Sequence, residues 1–177
     1  KVTVDGHRVD QAGRLVCPGS WVVVSASPWA VVGRGGDKLA GALDRFEVDL
    51  EGKVAIAVGA STGGFTDCLL QGGAGRVYAV DVGYGQQAWK LQQDSRVVRL
   101  DRVNIRTAAR ELIPEECDLA VIDTSFISLR LLLPAAVGFL VPHGTVVALV
   151  NPPVEGGRGQ GRQGGACRDP PLLRDLL

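Results

Sequence analysis

The sequence predicts an α/β fold in which a parallel β-sheet is covered by helices on both faces. Five short runs are almost entirely apolar, as expected for strands that are buried on both faces of a sheet. Stretches with helical spacing of apolar residues separate these runs, which favours parallel strands joined by helices. Ligands of such sheets bind beyond the carboxyl ends of the strands, so we expect a site there. The residues that end the five runs are Gly59, Asp81, Asp101, Asp123 and Asn151.

Residues 1–28 are predicted to form a separate, β-rich piece. Hydrophobic residues alternate on both sides of Asp5-Gly6, a dipeptide that favours a hairpin turn. Pro18-Gly19 indicates a second turn, and residues 21–24 are predicted as a further strand. We expect residues 29–52 to provide a linker and a first helix, and residues 53–177 to contain the parallel sheet.

The first helix is expected to begin at Asp37, whose side chain can cap it. Leu39, Leu43 and Phe46 would then share one face. Lys38 would lie near the start of this helix, where a cation opposes the helix dipole. Helix stability therefore does not explain this residue, and it is either a functional lysine or a solvated one.

Residues 53–81 are the centre of the predicted domain. An apolar strand, residues 54–58, precedes the loop Gly59-Ala60-Ser61-Thr62-Gly63-Gly64, and a helix follows. A second buried strand, residues 76–80, ends at Asp81. Glycines allow the backbone to approach a ligand closely, and an acid at the next strand tip can accept hydrogen bonds from ribose hydroxyls.

The spacing of these glycines limits the kind of ligand. It differs from the Gly-x-Gly-x-x-Gly fingerprint of dinucleotide sites, and no Lys-Ser or Lys-Thr pair closes the loop as in a P-loop. A nucleoside without a phosphate, such as S-adenosylmethionine, therefore fits better than a pyrophosphate. The alternative is a tight turn that only connects a strand to a helix.

The remaining elements follow in regular alternation. Val82 opens a glycine turn, and Asp101 and Asn104 follow the third strand, where they either contact an adenine or cap the next turn. Polar residues follow successive strands at their ends. From this we predict that the strands, numbered along the chain, lie in the sheet in the order third, second, first, fourth, fifth. The other predicted elements are a helix over 86–93, strands over 97–100 and 119–122, a helix over 129–140, a turn over 142–144, a strand over 145–150, a mobile loop over 156–165 and a last helix from Asp169.

Composition excludes several classes of function. Lys plus Arg and Asp plus Glu both number 19, so net charge gives no argument for or against nucleic acid. The four cysteines form no Cys-x-x-Cys pair, which argues against zinc and redox sites. Cys68 and Cys117 have apolar neighbours, which favours buried thiols in the reducing cytoplasm. No apolar run is long enough to span a bilayer, so a pore-forming role has no support. Because the chain lacks an initial Met, we expect it to be part of something longer.

Several stretches together resemble one family, the haemolysin-A (TlyA) family of ribosomal RNA 2′-O-methyltransferases. Its members have an S4-type RNA-binding domain followed by an FtsJ-like, Rossmann-like catalytic domain. The most specific matching stretch is Val-Gly-Ala-Ser-Thr-Gly-Gly-Phe-Thr, residues 58–66. The other matching stretches are residues 33–39, 77–86, 94–106, 123–129 and, more loosely, 164–170.

The resemblance implies a cofactor, a substrate and a set of site residues. It implies S-adenosylmethionine as cofactor, ribosomal RNA or ribosomal subunits as partner, and no metal. Lys38 and Asp123 match the first two members of the family's Lys-Asp-Lys-Glu catalytic set, and we expect them to face each other as an ion pair. The residues that match the cofactor site are Gly59, Ala60, Ser61, Thr62, Gly63, Gly64, Asp81, Val82, Asp101 and Asn104.

Two positions depart from the family pattern. Ala57 occurs where the family usually has an acid, and Asn151 occurs where it usually has the second catalytic lysine, in a Lys-Pro-Gln-Phe-Glu pattern. A catalytically inactive RNA-binding or cofactor-binding relative is therefore the alternative to an active enzyme. Asn151-Pro152-Pro153 also resembles the acceptor motif of enzymes that methylate base amines, but in those enzymes the motif follows the fourth strand.

Overall fold

The computed structural model describes residues 2–9, 15–24 and 32–155, and the chain divides into two compact units, Lys1–Ala30 and Val31–Leu177. The smaller unit contains an antiparallel sheet of β1 (Val2–Val4), β2 (His7–Val9) and β3 (Val22–Val24) in the order β2-β1-β3. Asp5 and Gly6 have positive φ angles and form the predicted hairpin turn. Asp5 Oδ1 accepts a hydrogen bond from Trp21 N at 2.8 Å, which lowers the pKa of the Asp5 carboxyl.

The larger unit contains the predicted parallel sheet. Its five strands lie in the order β6-β5-β4-β7-β8, and every neighbouring pair is parallel, so the predicted order is confirmed. Two 3-10 turns, Ile105–Thr107 and Arg110–Leu112, connect β6 to β7. The elements are α1 (Gly33–Arg45), β4 (Val54–Val58), α2 (Gly64–Gln71), β5 (Arg76–Asp81), α3 (Trp89–Gln92), β6 (Val97–Asp101), β7 (Cys117–Ile122), α4 (Leu129–Val137), β8 (Leu140–Ala148) and α5 (Pro152–Glu155).

The two faces of the sheet are covered by different helices. Ile56 and Val58 of β4 belong to a buried cluster with Leu132 and Ala136 of α4. Because successive side chains of a strand point to opposite faces, Ala57 lies on the other face, where α2 contacts β4 and β5. Within the described residues β8 pairs only with β7, so it lies at the edge of the sheet.

Helix α1 begins at Gly33, four residues before the predicted start at Asp37, and no side chain caps it. Asp37 therefore lies inside the helix. Leu39 and Leu43 are buried as predicted, but Phe46 is the C-cap residue and 68% of it is exposed. The close packing of α1 on α2 depends on a glycine of α2. A Cβ at Gly64 would lie 2.6 Å from the carbonyl oxygen of Val32 and 2.9 Å from the amide nitrogen of Gly36.

We expect Gly64→Ala to destabilise the larger unit by about 1–3 kcal/mol, because the added methyl group would push α1 away from α2. Gly41→Ala is the matched control, since a Cβ at this position of α1 meets nothing within 4 Å. The control should be neutral or gain up to about 1 kcal/mol from higher helix propensity. Urea unfolding of both variants measures the difference, and equal stabilities would contradict the close packing of α1 on α2.

Three other predicted boundaries were wrong. The helix predicted over 86–93 is only the single turn α3, and α4 ends at Val137 instead of residue 140. Strand β8 starts at Leu140, so the predicted turn over 142–144 lies inside it. His143 has a φ of 65°, and the pairing register with β7 shifts between Cys117 and Leu119. A bulge in an edge strand accommodates Pro142 and Gly144 without ending the strand.

Several predictions fall outside the described residues: the start of the linker predicted within 29–52, the loop over 156–165 and the last helix from Asp169. In the part of the chain that the structure describes, no helix is long and apolar enough to cross a membrane. Across the same ranges, no group of His, Cys, Asp and Glu side chains could hold a metal ion.

Candidate functional site

A pocket of about 420 Å³ lies at the carboxyl ends of β4, β5 and β7. This volume is within the range of about 300–1,000 Å³ that small-molecule sites occupy. Its walls combine apolar side chains with a few polar ones, as such sites usually do. The predicted site residues that line it are Gly59, Ser61, Asp81, Val82, Asn104 and Asp123.

The glycine loop brings the ends of β4 and β7 into contact. Gly59 has a φ of 81°, and a Cβ there would collide with the carbonyl oxygen of Asp123. Gly63 has a φ of 101° and packs against Leu91 of α3, so it supports the loop without lining a described pocket. The rest of the loop lines a smaller cavity of about 160 Å³, which contains Ala60, Thr62 and Gly64 beside Asp123.

Asp81 connects the glycine loop to the turn after β5. Its Oδ2 accepts a hydrogen bond from Ser61 N at 2.7 Å, and its Oδ1 accepts one from Gly83 N at 2.6 Å. Each carboxylate oxygen can accept a further hydrogen bond, so both remain able to bind the hydroxyls of a ribose. The loop is therefore held in place before any ligand arrives.

The predicted residues after β6 have different surroundings. Asn104 lines the large pocket, and its Oδ1 accepts a hydrogen bond from Arg106 N at 3.1 Å, so it also caps the following 3-10 turn. Asp101 lines none of the described pockets. Its Oδ2 accepts a long hydrogen bond, 3.4 Å, from Gly85 N in the turn that follows β5.

A second pocket, of about 280 Å³, joins the residues predicted for catalysis. It is lined by Lys38, Asp123 and Asn151 together with residues 124–125 and 149–150. Asp123 lines both pockets, so this cavity is adjacent to the larger one. Asn151 Nδ2 donates a hydrogen bond to Ser125 O at 3.4 Å. No ion pair joins Lys38 to Asp123 among the described residues, although both line this pocket.

A buried carboxylate that the sequence analysis missed lies behind the glycine loop. Asp67 accepts hydrogen bonds from Val32 N at 2.7 Å, Lys90 Nζ at 2.9 Å and Gln71 Nε2 at 3.0 Å. Only 6% of its side chain is exposed, so these donors replace the water that it loses. Asp67 thus joins the start of α1 to α2 and α3. The sequence did contain a signal for this residue, since Asp67 is an acid within the otherwise apolar start of α2.

The cysteines behave as the sequence predicts. Cys68 and Cys117 are buried, and Cys17 is exposed. Burial raises the pKa of Cys68 to about 12 and that of Cys117 to about 11. Both are therefore neutral thiols at physiological pH, and neither is suited to act as a nucleophile.

Comparisons with known proteins agree with this geometry. The model of the FtsJ-like methyltransferase family matches residues 31–173. The chain is 46% identical over 172 residues to "Putative rRNA methyltransferase YqxC" of Bacillus subtilis, covering 97% of this chain and 61% of that protein. It is 46% identical over 173 residues to "16S/23S rRNA (cytidine-2'-O)-methyltransferase TlyA" of Mycobacterium tuberculosis, covering 97% and 65%.

A solved structure is also similar. "Putative hemolysin from Streptococcus thermophilus" superimposes with a TM-score of 0.81 at 42% identity, covering 99% of this chain and 65% of that one. The chain thus spans less than two thirds of the length of these relatives. The family match extends over most of the larger unit, including the glycine loop and both pockets. The chain therefore belongs to the FtsJ-like methyltransferase family.

Proposed function

We propose that this chain is the cofactor-binding and catalytic part of a cytoplasmic, S-adenosylmethionine-dependent methyltransferase that acts on ribose 2′-hydroxyls of ribosomal RNA. The observation that carries the proposal is the shared wall of the two pockets. Residues 123–125 line both the large pocket and the cavity with Lys38, so a methyl donor and an acceptor would meet across Asp123. The names of the two curated relatives support ribosomal RNA as the substrate.

The large pocket suits a nucleoside. Asp81 offers two carboxylate oxygens for ribose hydroxyls, and Asn104 offers an amide beside it. Val103, Ile105 and Leu132 provide apolar walls for an adenine ring. When bound, S-adenosylmethionine supplies an electrophilic methyl group on a sulfonium sulfur. The protein has to orient this group toward the acceptor oxygen and exclude water.

The second pocket suits the acceptor ribose. The Lys38 ammonium stabilises the negative charge that develops on a 2′-oxygen as its proton leaves. Asp123 lines the same pocket, and its carboxylate would attract that ammonium once the acceptor displaces water. Positioning of the oxygen in line with the methyl group provides much of the remaining acceleration.

Asn151 favours a second candidate, an inactive relative that binds the cofactor or RNA. An asparagine amide is neutral and cannot provide the positive charge of a second lysine. We therefore expect the chain with its own Asn151 to transfer methyl groups at a negligible rate, although its pockets are those of a methyltransferase. Methylation of a base amine has less support, because Asn151-Pro152-Pro153 follows β8, whereas Asp123 follows β7, the fourth strand of the parallel sheet.

We also propose that the smaller unit belongs to an S4-type RNA-binding domain. Its antiparallel strands β1, β2 and β3 support this assignment, as does the resemblance to the haemolysin-A family. Binding of ribosomal RNA fragments to the chain with and without residues 1–30 tests it.

Cofactor binding tests the proposed function. Calorimetry should detect binding of S-adenosylmethionine to the chain, and Asp81→Ala should weaken it about 10- to 100-fold, because a charged hydrogen-bond acceptor is lost. Asp44→Ala, an exposed change on α1, is the matched control and should leave affinity unchanged. Absence of binding to the unmodified chain, or an unchanged affinity in Asp81→Ala, would overturn the assignment of the large pocket.

A further inference from the structure

One carboxylate holds the segment after β8 against the segment after β7. Glu155 Oε2 accepts a hydrogen bond from Ser128 Oγ at 2.6 Å, and Glu155 Oε1 accepts one from Leu129 N at 2.8 Å. Ser128 is the N-cap residue of α4, and Leu129 is its first residue. Free amide groups and the positive end of the helix dipole favour a carboxylate at this place. We call these three residues the Glu155 clamp.

The clamp extends to position 151 through a single helical turn. Val154 N and Glu155 N donate hydrogen bonds to Asn151 O at 2.9 and 3.2 Å. The backbone of Asn151 is therefore bonded to the turn that carries Glu155. The side chain of Asn151 adds only its 3.4 Å contact with Ser125 O, which is long for a hydrogen bond. The Glu155 clamp therefore holds this segment more firmly than the side chain at position 151 does.

The partner segment is the common wall of the two pockets. It begins at Asp123 and reaches α4 through Phe126, Ile127 and Ser128, and its first residues line both cavities. A contact that ties position 151 to the end of this segment therefore connects two walls of the cavity that Lys38, Asp123 and Asn151 line.

We propose that Glu155 is a positioning residue: its carboxylate fixes position 151 in the acceptor pocket opposite Lys38 and Asp123. The inference rests on the proposed function of that pocket. It implies that another residue can replace Asn151 while the backbone at position 151 stays in the same place. Glu155 also caps α4 through Leu129 N, while Ser128 Oγ accepts a hydrogen bond from Arg130 N at 3.2 Å, and the measurements below separate capping alone from positioning of residue 151.

The full chain carrying Asn151→Lys provides the test. Glu155→Ala in this background should lower methyl transfer to ribosomal subunits about 10- to 100-fold, as small misplacements of catalytic groups do. The dissociation constant of S-adenosylmethionine should change little, because Asp81 and the glycine loop do not touch the clamp. Glu155→Gln should recover most of the rate, since its amide oxygen can still accept the hydrogen bond from Leu129 N. Glu116→Ala, an exposed change, is the matched control.

A second measurement is independent of catalysis. In the chain with its own Asn151, the side-chain amide signal of Asn151 in NMR spectra should shift in Glu155→Ala and stay in place in Glu155→Gln. Faster hydrogen exchange at Leu129 N in Glu155→Ala shows that the clamp is broken. The positioning role would be overturned if Glu155→Ala speeds hydrogen exchange at Leu129 N but leaves the Asn151 signal in place. An unchanged transfer rate in the same variant would overturn it as well. Failure of S-adenosylmethionine to bind any of these chains would instead refute the proposed function.

Discussion

Asn151→Lys is expected to raise methyl transfer to ribosomal subunits from a negligible rate by at least about 100-fold, the size of effect that one preorganised electrostatic group commonly supplies. The new ammonium would enter the cavity that Lys38 and Asp123 already line. A second positive charge beside the acceptor lowers the pKa of a bound 2′-hydroxyl, which Asn151 cannot do. Transfer of a labelled methyl group from S-adenosylmethionine to ribosomal subunits measures the change.

Two control variants separate charge from shape. Asn151→Gln lengthens the side chain without adding charge and should stay at the negligible rate. Lys38→Met combined with Asn151→Lys should lose most of the gain, because groups that act as a unit are strongly non-additive. Robust transfer by the unmodified chain would contradict the prediction, and so would equal rates for Asn151→Gln and Asn151→Lys.

The sheet and the place of the site could be predicted because both depend on local patterns. Buried parallel strands have continuous apolar sequences, and the residues at their ends necessarily lie along one edge. The order β6-β5-β4-β7-β8 and the gathering of Gly59, Asp81 and Asp123 around one pocket follow from this arrangement.

Boundaries failed where tertiary contacts outweighed local propensity. The glycines at the start of α1 are poor helix formers, but the contact of Gly64 with Val32 and Gly36 requires small residues. The side chain of Asp37 indicated a later N-cap, but α1 begins four residues earlier, beside the contact of Gly36 with Gly64. In β8, Pro142 and Gly144 resemble a turn, but pairing with β7 continues past them through an irregular register.

The hydrogen-bond partners of Asp67 and Glu155 could not be predicted because they are distant in sequence. Asp67 binds Val32 N, 35 residues earlier, and Glu155 binds Leu129 N, 26 residues earlier. No local spacing relates such pairs, and each acid by itself is compatible with a solvated position. The ion pair predicted between Lys38 and Asp123 is missing for another reason: Lys38 is exposed, and an ion pair with a solvated lysine contributes little stability.

Ala57→Asp is expected to strengthen cofactor binding while it destabilises the free protein. Ala57 is 1% exposed and lies at the end of β4, directly before Val58 and Gly59 at the large pocket. The family resemblance places a carboxylate here, and a regained charged hydrogen bond is worth about 1.5–3 kcal/mol, which is roughly a 10- to 100-fold gain in affinity. Without cofactor, the same carboxylate lacks water, and a buried charged group without partners costs more than the roughly 1–3 kcal/mol of a neutral polar group.

Calorimetry for affinity and urea unfolding for stability measure the two effects on the same samples. Ala55→Asp is the matched control, because Ala55 is 0% exposed, lies on the same face of β4 and is two residues farther from the loop. It should destabilise the chain without improving affinity. Ala57→Asn tests whether the negative charge is needed. Its gain in affinity for S-adenosylmethionine should be smaller than that of Ala57→Asp, because neutral hydrogen bonds are weaker. If Ala57→Asp destabilises the chain as Ala55→Asp does and affinity stays unchanged, position 57 has no role in binding the cofactor.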